Sequence, residues 1–313
     1  MEAPERVARP ATRTSTTKPT GRRGSNLTGL IFLLPFLIVY TLFLLWPVIL
    51  GLRMSFFNWS LVGGGASEFL GLQNYRELFG DPVFWVSLWH TVLFTLLSTP
   101  PLVLLALVLA MLVNRLRFAQ WFFRFSFFAP FVLPVSVVAL IWIWLFQPGF
   151  GLINSYLTSL GLGEVAWLPD KNVAMITAVL VTVWWTIGFN FVLYLAGLQE
   201  IPRDLYDASA VDGAGSLAQA RWITIPMLSR TTVLVVVLQI LASLKVFDQI
   251  YVMYTQGGLN YPATRPIIGY VFDQGFTSYR VGYASAMSYV FFVIILAVSV
   301  IWFVVARRRG ESA

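Results

Sequence analysis

AGLQEIPRDLYDASAVDGAGSLAQARWITIPMLSRTT, Ala196 to Thr232, interrupts a chain otherwise built of long uncharged apolar runs. A plain connection between two elements takes a handful of residues. This one extends from 199 to 230 and carries a helical pattern of its own. Leu205, Ala208, Ser209 and Asp212 fall at i, i+3, i+4 and i+7, the spacing of one helix face. Pro202 suits a first helical position, and Asp204 places a negative charge where the helix dipole favours it. Gly213 and Gly215 permit a sharp backbone turn. A second amphipathic stretch, Leu217 to Ile223, then leads to Pro226. The expectation is two short helices at an angle, lying outside the apolar layer.

The flanks set the fold class. Charged residues are 11%, apolar residues 58% and the mean hydropathy is +0.76 over 313 residues, against about a quarter charged in a soluble domain. Burying that much apolar surface in a water-facing fold would leave large exposed patches, so lipid is the natural solvent. About 20 residues span the hydrocarbon core. The composition and run lengths predict an all-α, polytopic membrane protein with six transmembrane helices, at about 30–50, 91–113, 125–146, 174–198, 231–254 and 283–306. The fifth is the exception, because Thr231 to Leu244 is too short alone. Its extension to Tyr254 takes Lys245 and Asp248 onto the helix; a short re-entrant segment instead would leave an odd number of spans. Thr99-Pro100-Pro101 marks a kink in the second span.

Charge orients the helices. With both termini cytoplasmic, the inside segments hold fifteen Lys and Arg and the outside loops five, as the positive-inside rule requires. The loop 199–230 is then cytoplasmic. Residues 1–26, rich in Arg, Thr and Pro without hydrophobic periodicity, read as a disordered basic tail; 27–309 form the membrane domain and 310–313 a second tail. The pI near 9.8 follows from the same cations, and solvation with attraction to anionic lipid accounts for the tail better than nucleic acid does. There is no Cys and a single His, His90, which leaves no metal site and no thiol chemistry; His90, beside Trp85 and Trp89, reads as an interface residue. None of the three lysines follows a glycine, so the chain has no phosphate-binding G-x-x-x-x-G-K-[ST] loop. It is not an ATPase, and no cluster of catalytic groups marks it as another enzyme.

Within the loop, Asp207-Ala208-Ser209, three residues, Gly213, nine residues and Ile223-Thr224-Ile225-Pro226 resemble the EAA loop of ABC-importer permeases in full spacing. Asp for Glu, Ser for the second Ala and Ile for Leu are the departures. AGLQEIP before the motif, DGAGS within it and LKVFDQIYVMYTQGG after it are similar to the carbohydrate-uptake subfamily, the maltose- and glycerol-phosphate-type permeases. So are WPVILGLRMSFFNW and FLGLQNYRELF nearer the N-terminus. The resemblance implies a permease subunit of the cell membrane that moves a sugar or sugar-like solute. It further implies a second, paralogous permease, two ATPase subunits that hold ATP and Mg, and an extracytoplasmic solute-binding protein; this chain binds no cofactor. Asp207, Ala208, Ser209, Asp212, Gly213, Ala214, Gly215, Ile223 and Pro226 would then couple to the ATPases, with Leu205 to Gly215 as the coupling helix.

Ionisable residues inside a span are functional candidates because burying them in lipid is costly. Lys245 and Asp248, at i and i+3, read either as a structural ion pair or as part of a gate or solute path. Trp184, Trp185 and Asn190 on the fourth span, with Gln239 and Ser243 on the fifth, offer the aromatic faces and neutral polar groups that bind sugars. The two tryptophans also fit plain packing. The competing class is an ion-driven secondary transporter, which would be expected to show inverted repeats; runs one to three and four to six show no such repeat.

Overall fold

The computed structural model describes residues 26–60, 62, 65–116, 118–256 and 261–310. Residues 1–25 of the basic tail and 311–313 lie outside them. The chain divides into two units, 1–50 and 51–313. The first holds α1 (Asn26–Tyr40), a π-helical turn at Thr41–Leu45 and the start of α2 (Trp46–Met54).

The second unit begins with a departure from the all-helical expectation. β1 (Phe57–Ser60) pairs antiparallel with β2 (Gly65–Phe69), Phe57 opposite Phe69, with a register shift before Trp59. Aromatic side chains favour extended backbone, and this short segment lies between apolar runs where no helical periodicity competes. There follow α3 (Gln73–Gly80), α4 (Pro82–Asn114), α5 (Gln120–Val132), α6 (Val135–Leu145) and α7 (Leu152–Ser159). Asp81 caps α4, accepting from the Val83 N–H at 2.8 Å with Pro82 at the first helical position. Then come α8 (Ala174–Gln199), α9 (Arg203–Val211), α10 (Ser216–Gln219), α11 (Ile225–Met227) and α12 (Ser229–Leu244). The last four are α13 (Asp248–Gln256), α14 (Tyr261–Thr264), α15 (Ile267–Phe272) and α16 (Val281–Gly310).

Among the described residues, four helical segments are long and apolar enough to cross a membrane: Ile31–Met54, Pro82–Asn114, Ala174–Gln199 and Val281–Trp302. Two further pairs qualify as bent spans, α5 with α6 at 97° and Ser216–Met227 with α12 at 65°. Exposed Leu96, Leu104, Leu105 and Leu112 on α4 suit a lipid-facing side. On its other side Ala106 and Ala110, four residues apart and fully buried, let α4 approach α8; small residues are how helices pack closely in lipid, where apolar area gives no driving force.

Two span expectations are corrected. The 125–146 run is broken: Leu133 is extended at ψ 138° ahead of Pro134, since the proline ring disfavours helix at the preceding residue. The 231–254 helix is broken as well. α12 stops at Leu244, Lys245 caps it, and α13 starts afresh at Asp248. Lys245 and Asp248 therefore lie on either side of a break, and the i, i+3 ion pair is not formed; the described ion pairs are Arg265–Asp273 and Arg280–Glu77. Asp248 sits instead in the first turn of α13, where a carboxylate suits the helix dipole. Conversely, α4 runs on through Pro100 and Pro101 as one helix of 33 residues.

Candidate functional site

A cavity of about 290 Å³ opens where the two breaks meet α8. From α8 come Thr182, Trp185, Thr186 and Phe189, at i, i+3, i+4 and i+7. From α12 and the segment after it come Gln239, Ala242, Ser243 and Val246, at the same spacing. Phe131 and Val135 flank the Pro134 break, and Lys245, Phe247, Asp248 and Gln249 belong to the other. In hydrocarbon every backbone polar group needs a partner, so non-helical backbone is tolerated where it is buried in protein or lines a cavity. Both breaks meet that condition.

The polar groups behind the wall are mutually bonded. Asn190 Nδ2 donates to Gln239 Oε1 at 2.9 Å, and Gln239 Nε2 donates to Ser243 Oγ at 2.9 Å. Ser243 Oγ shares a 3.0 Å hydrogen bond with Ser98 Oγ on α4. Gln249 Nε2 donates to Thr182 Oγ1 and, at 3.3 Å, to the Ala178 carbonyl. Such a chain joins α4, α8, α12 and α13, and satisfied networks of this kind rigidify a buried site. By contrast Lys245 and Asp248 are exposed and belong to no described ion pair, and the buried Trp185 Nε1–H has no hydrogen-bond partner.

Five of the residues singled out from the sequence thus line one cavity: Trp185, Gln239, Ser243, Lys245 and Asp248. Asn190 lies behind it, holding Gln239. Trp184 does not line it and packs edge-on against Trp142 with ring centroids 5.4 Å apart. The residues missed are Phe94, Phe131, Thr182, Thr186, Phe189 and Gln249. For α8 a signal was present, because Thr182, Thr186 and Phe189 share the helical spacing of Trp185; the others are brought in by the breaks.

The 199–230 loop forms a helical hairpin. α9 ends with Asp212 as its cap, and Gly213 turns the chain at φ +82°. Gly215, extended at φ −70°, opens α10. Ser209 Oγ donates to the Tyr206 carbonyl at 2.8 Å and accepts from Gln219 Nε2 at 3.0 Å, while the Tyr206 and Thr224 hydroxyls lie 2.9 Å apart. Tyr206 and Ile223 pack on the cluster formed by α4, α8 and α12. Asp207, Ala208 and Asp212 are exposed, as is Pro226, with Ala214 half-buried. Exposed apolar side chains stand around the turn: Val211 at 89%, Leu217 at 82% and Trp222 at 72%.

A third cluster ties α16 to α3 and α4. Asp81 accepts from the Tyr270 hydroxyl at 2.6 Å and the Tyr283 hydroxyl at 2.7 Å, and Arg280 forks onto Glu77 at 2.6 and 2.7 Å. Partial burial pushes the Asp81 carboxyl up, but the bonds from Tyr270, Tyr283 and the backbone outweigh it and leave it below the usual carboxylate value. The Tyr270 phenol, partly buried and bonded to Asp81, is raised to about 12. His90 Nδ1 lies 3.3 Å from the Arg265 carbonyl, half-buried in this region.

A polytopic helical membrane protein with two broken helices around a polar cavity, and an amphipathic hairpin beside them, is the class these features define. Residues 102–310 match the binding-protein-dependent transport system inner membrane component family, to which the chain belongs. It is 35% identical over 286 residues to the sulfoquinovosyl glycerol transport system permease protein SmoG of Agrobacterium fabrum, covering 91% of this chain and 92% of that one. It is 31% identical to the sn-glycerol-3-phosphate transport system permease protein UgpA of Pectobacterium atrosepticum, covering 89% and 94%. The trehalose/maltose transport system permease protein MalF of Thermococcus litoralis is 32% identical, covering 90% and 95%. In fold the chain matches a bacterial ABC transporter for alginate import at a TM-score of 0.80 and 23% identity, covering 90% of this chain and 96% of that one. The protein is therefore an ABC-transporter permease of the inner membrane.

Proposed function

We propose that this chain is one of two permease subunits of an ATP-driven importer that moves a sugar or sugar-like solute handed over by an extracytoplasmic binding protein. The cavity between the two broken helices carries this reading, because its aromatic faces, amides and hydroxyls are the groups that bind sugars. The names of the relatives, which concern sulfoquinovosyl glycerol, glycerol phosphate and trehalose or maltose, support the same class of solute. The partner permease is a paralogue, and ATP and Mg belong to two ATPase subunits.

Counting each bent pair as one span yields six, with both termini and the 199–230 hairpin cytoplasmic. The exposed Val211, Leu217 and Trp222 then face the ATPases, and α9 with its turn transmits their closure as rigid-body motion. Asp207, Ala208, Ser209, Asp212, Gly213, Ala214, Gly215, Ile223 and Pro226 act here by shaping and seating the hairpin. The family match to a binding-protein-dependent system disfavours an ion-driven secondary transporter.

The test is uptake into proteoliposomes holding this chain with its partner permease, ATPases and binding protein. Uptake should require ATP, and Gly213→Pro or Asp207→Lys should abolish it while the chain still inserts. Uptake driven by an ion gradient without ATPases, or loop variants that transport normally, would overturn the reading.

A further inference from the structure

The cavity's free groups discriminate by charge. Its neutral polar wall is internally satisfied: Gln239 uses its amide on Asn190 and Ser243, and Gln249 donates to Thr182 and Ala178. What remains for a solute is the Lys245 ammonium, the Asp248 carboxylate and the Trp185 N–H, among the rings of Phe94, Phe131 and Phe189. The lining contains one cation and one anion, and these two are not paired with each other.

A compact anion such as a phosphate or sulfonate sheds its hydration only where several donors replace it, typically guanidinium forks or the free N–H groups of a helix N-terminus. The cavity contains no arginine. Its one helix N-terminus, that of α13, already carries Asp248 in the first turn, which occupies the dipole and repels a second negative charge. Lys245 therefore offers an anion nothing that Asp248 does not offset. A neutral sugar meets the opposite situation: vicinal hydroxyls donate to Asp248 and accept from Lys245 and Trp185, and the apolar ring faces stack on the aromatic walls.

We propose that this chain's cavity takes uncharged saccharides and rejects anionic ones, with Lys245 and Asp248 as the paired hydroxyl contacts. This rests on the importer reading above and deepens it. It also sets the chain apart from its relatives named for sulfoquinovosyl glycerol and glycerol phosphate.

Saturation-transfer NMR on the assembled permease–ATPase complex, without binding protein, removes selection by that protein. The probes are maltose, lactose and melibiose against glucose 6-phosphate, glucuronate and sulfoquinovose. Neutral sugars should give signal and the anions none. Asp248→Asn should weaken the neutral signal about tenfold, the loss of one charge-assisted hydrogen bond, and begin to admit the anions. Lys245→Gln serves as the second variant should Asp248→Asn fail to assemble, and it should weaken neutral binding similarly. Anions binding as well as neutral sugars, silence from every neutral sugar, or variants indistinguishable from wild type would each overturn the proposal. ATP-driven uptake of an anionic saccharide by the complete system would sink this inference alone; no ATP-driven uptake of any saccharide would sink the importer reading.

Discussion

Prolines at two places in the membrane domain have opposite consequences. Pro100 and Pro101 sit inside α4, which continues as a helix, while Pro134 ends α5 and turns the chain through 97° into α6. The local chemistry is the same: a missing N–H, and pressure on the preceding residue to leave the helical region. What differs is the surroundings. α4 is packed along α8 and α12, with Ser98, Leu102 and Ala106 fully buried and Ser98 bonded to Ser243. Contacts along the helix hold it straight against its own prolines. At Pro134 the break faces a cavity, so an extended Leu133 meets no neighbour that would restore it. A proline in a membrane helix thus proposes a break, and packing decides it.

Substitutions can break or sharpen this comparison. The largest effect is expected at Gly188 on α8, where an added Cβ would lie 2.0 Å from the Phe127 carbonyl of α5. Gly188→Val should separate α5 from α8 and cost more than about 3 kcal/mol, read as a collapse of the monodisperse peak and of Tm in detergent. If the variant remains well folded, the close α5–α8 crossing that positions the Pro134 break is wrong. Next, Pro134→Ala relieves the restriction on Leu133 and lets helix continue across the cavity wall, so ATP-driven uptake should fall about tenfold or more, a loss of at least ~1.4 kcal/mol in transport. Pro100→Ala, where the helix is already continuous, should instead raise stability by up to about 3 kcal/mol and leave uptake intact. Equal effects of the two alanines would erase the distinction.

The hairpin allows a smaller contrast of the same kind. Gly213 has φ +82° and Gly215 φ −70°. Gly213→Ala should cost about 1–2 kcal/mol for a left-handed backbone with a side chain, lowering coupling of ATP hydrolysis to uptake, whereas Gly215→Ala should be nearly silent in the same assay. The smallest effect concerns Asp81. Its carboxyl is held below the usual value of 3.8, so its contribution to stability is present above that value and is lost as pH falls through the lower folded one. Asp81→Asn should flatten the acid side of a Tm-versus-pH curve, and an unchanged slope would show that the Tyr270 and Tyr283 bonds add nothing there.

Much of the site was legible in composition and spacing. Trp185, Gln239 and Ser243 announce themselves as polar or amphipathic groups in apolar runs, and Lys245 and Asp248 as charges where lipid forbids them. The turn at Gly213 follows from residue type alone. Thr182 and Thr186 were overlooked because a threonine in a membrane helix ordinarily satisfies its hydroxyl on the carbonyl four residues back, as both do here at 2.7 and 2.8 Å; the pattern shows only once they are aligned with Trp185 and Phe189. Phe94, Phe131 and Gln249 carry no such signal, since their place on the cavity depends on where the chain bends.

The amino-acid sequence by itself determined the solvent, the apolar runs, the amphipathic hairpin and the family, because each follows from composition, period or residue spacing along one stretch of chain. Only the tertiary structure decided which runs stay whole. α4 survives two prolines, while the third and fifth runs break at Pro134 and Lys245 and meet around one cavity. The physical reason is that, away from water, a backbone break is tolerated only where neighbouring segments or a polar cavity satisfy it, and those neighbours come from distant parts of the chain.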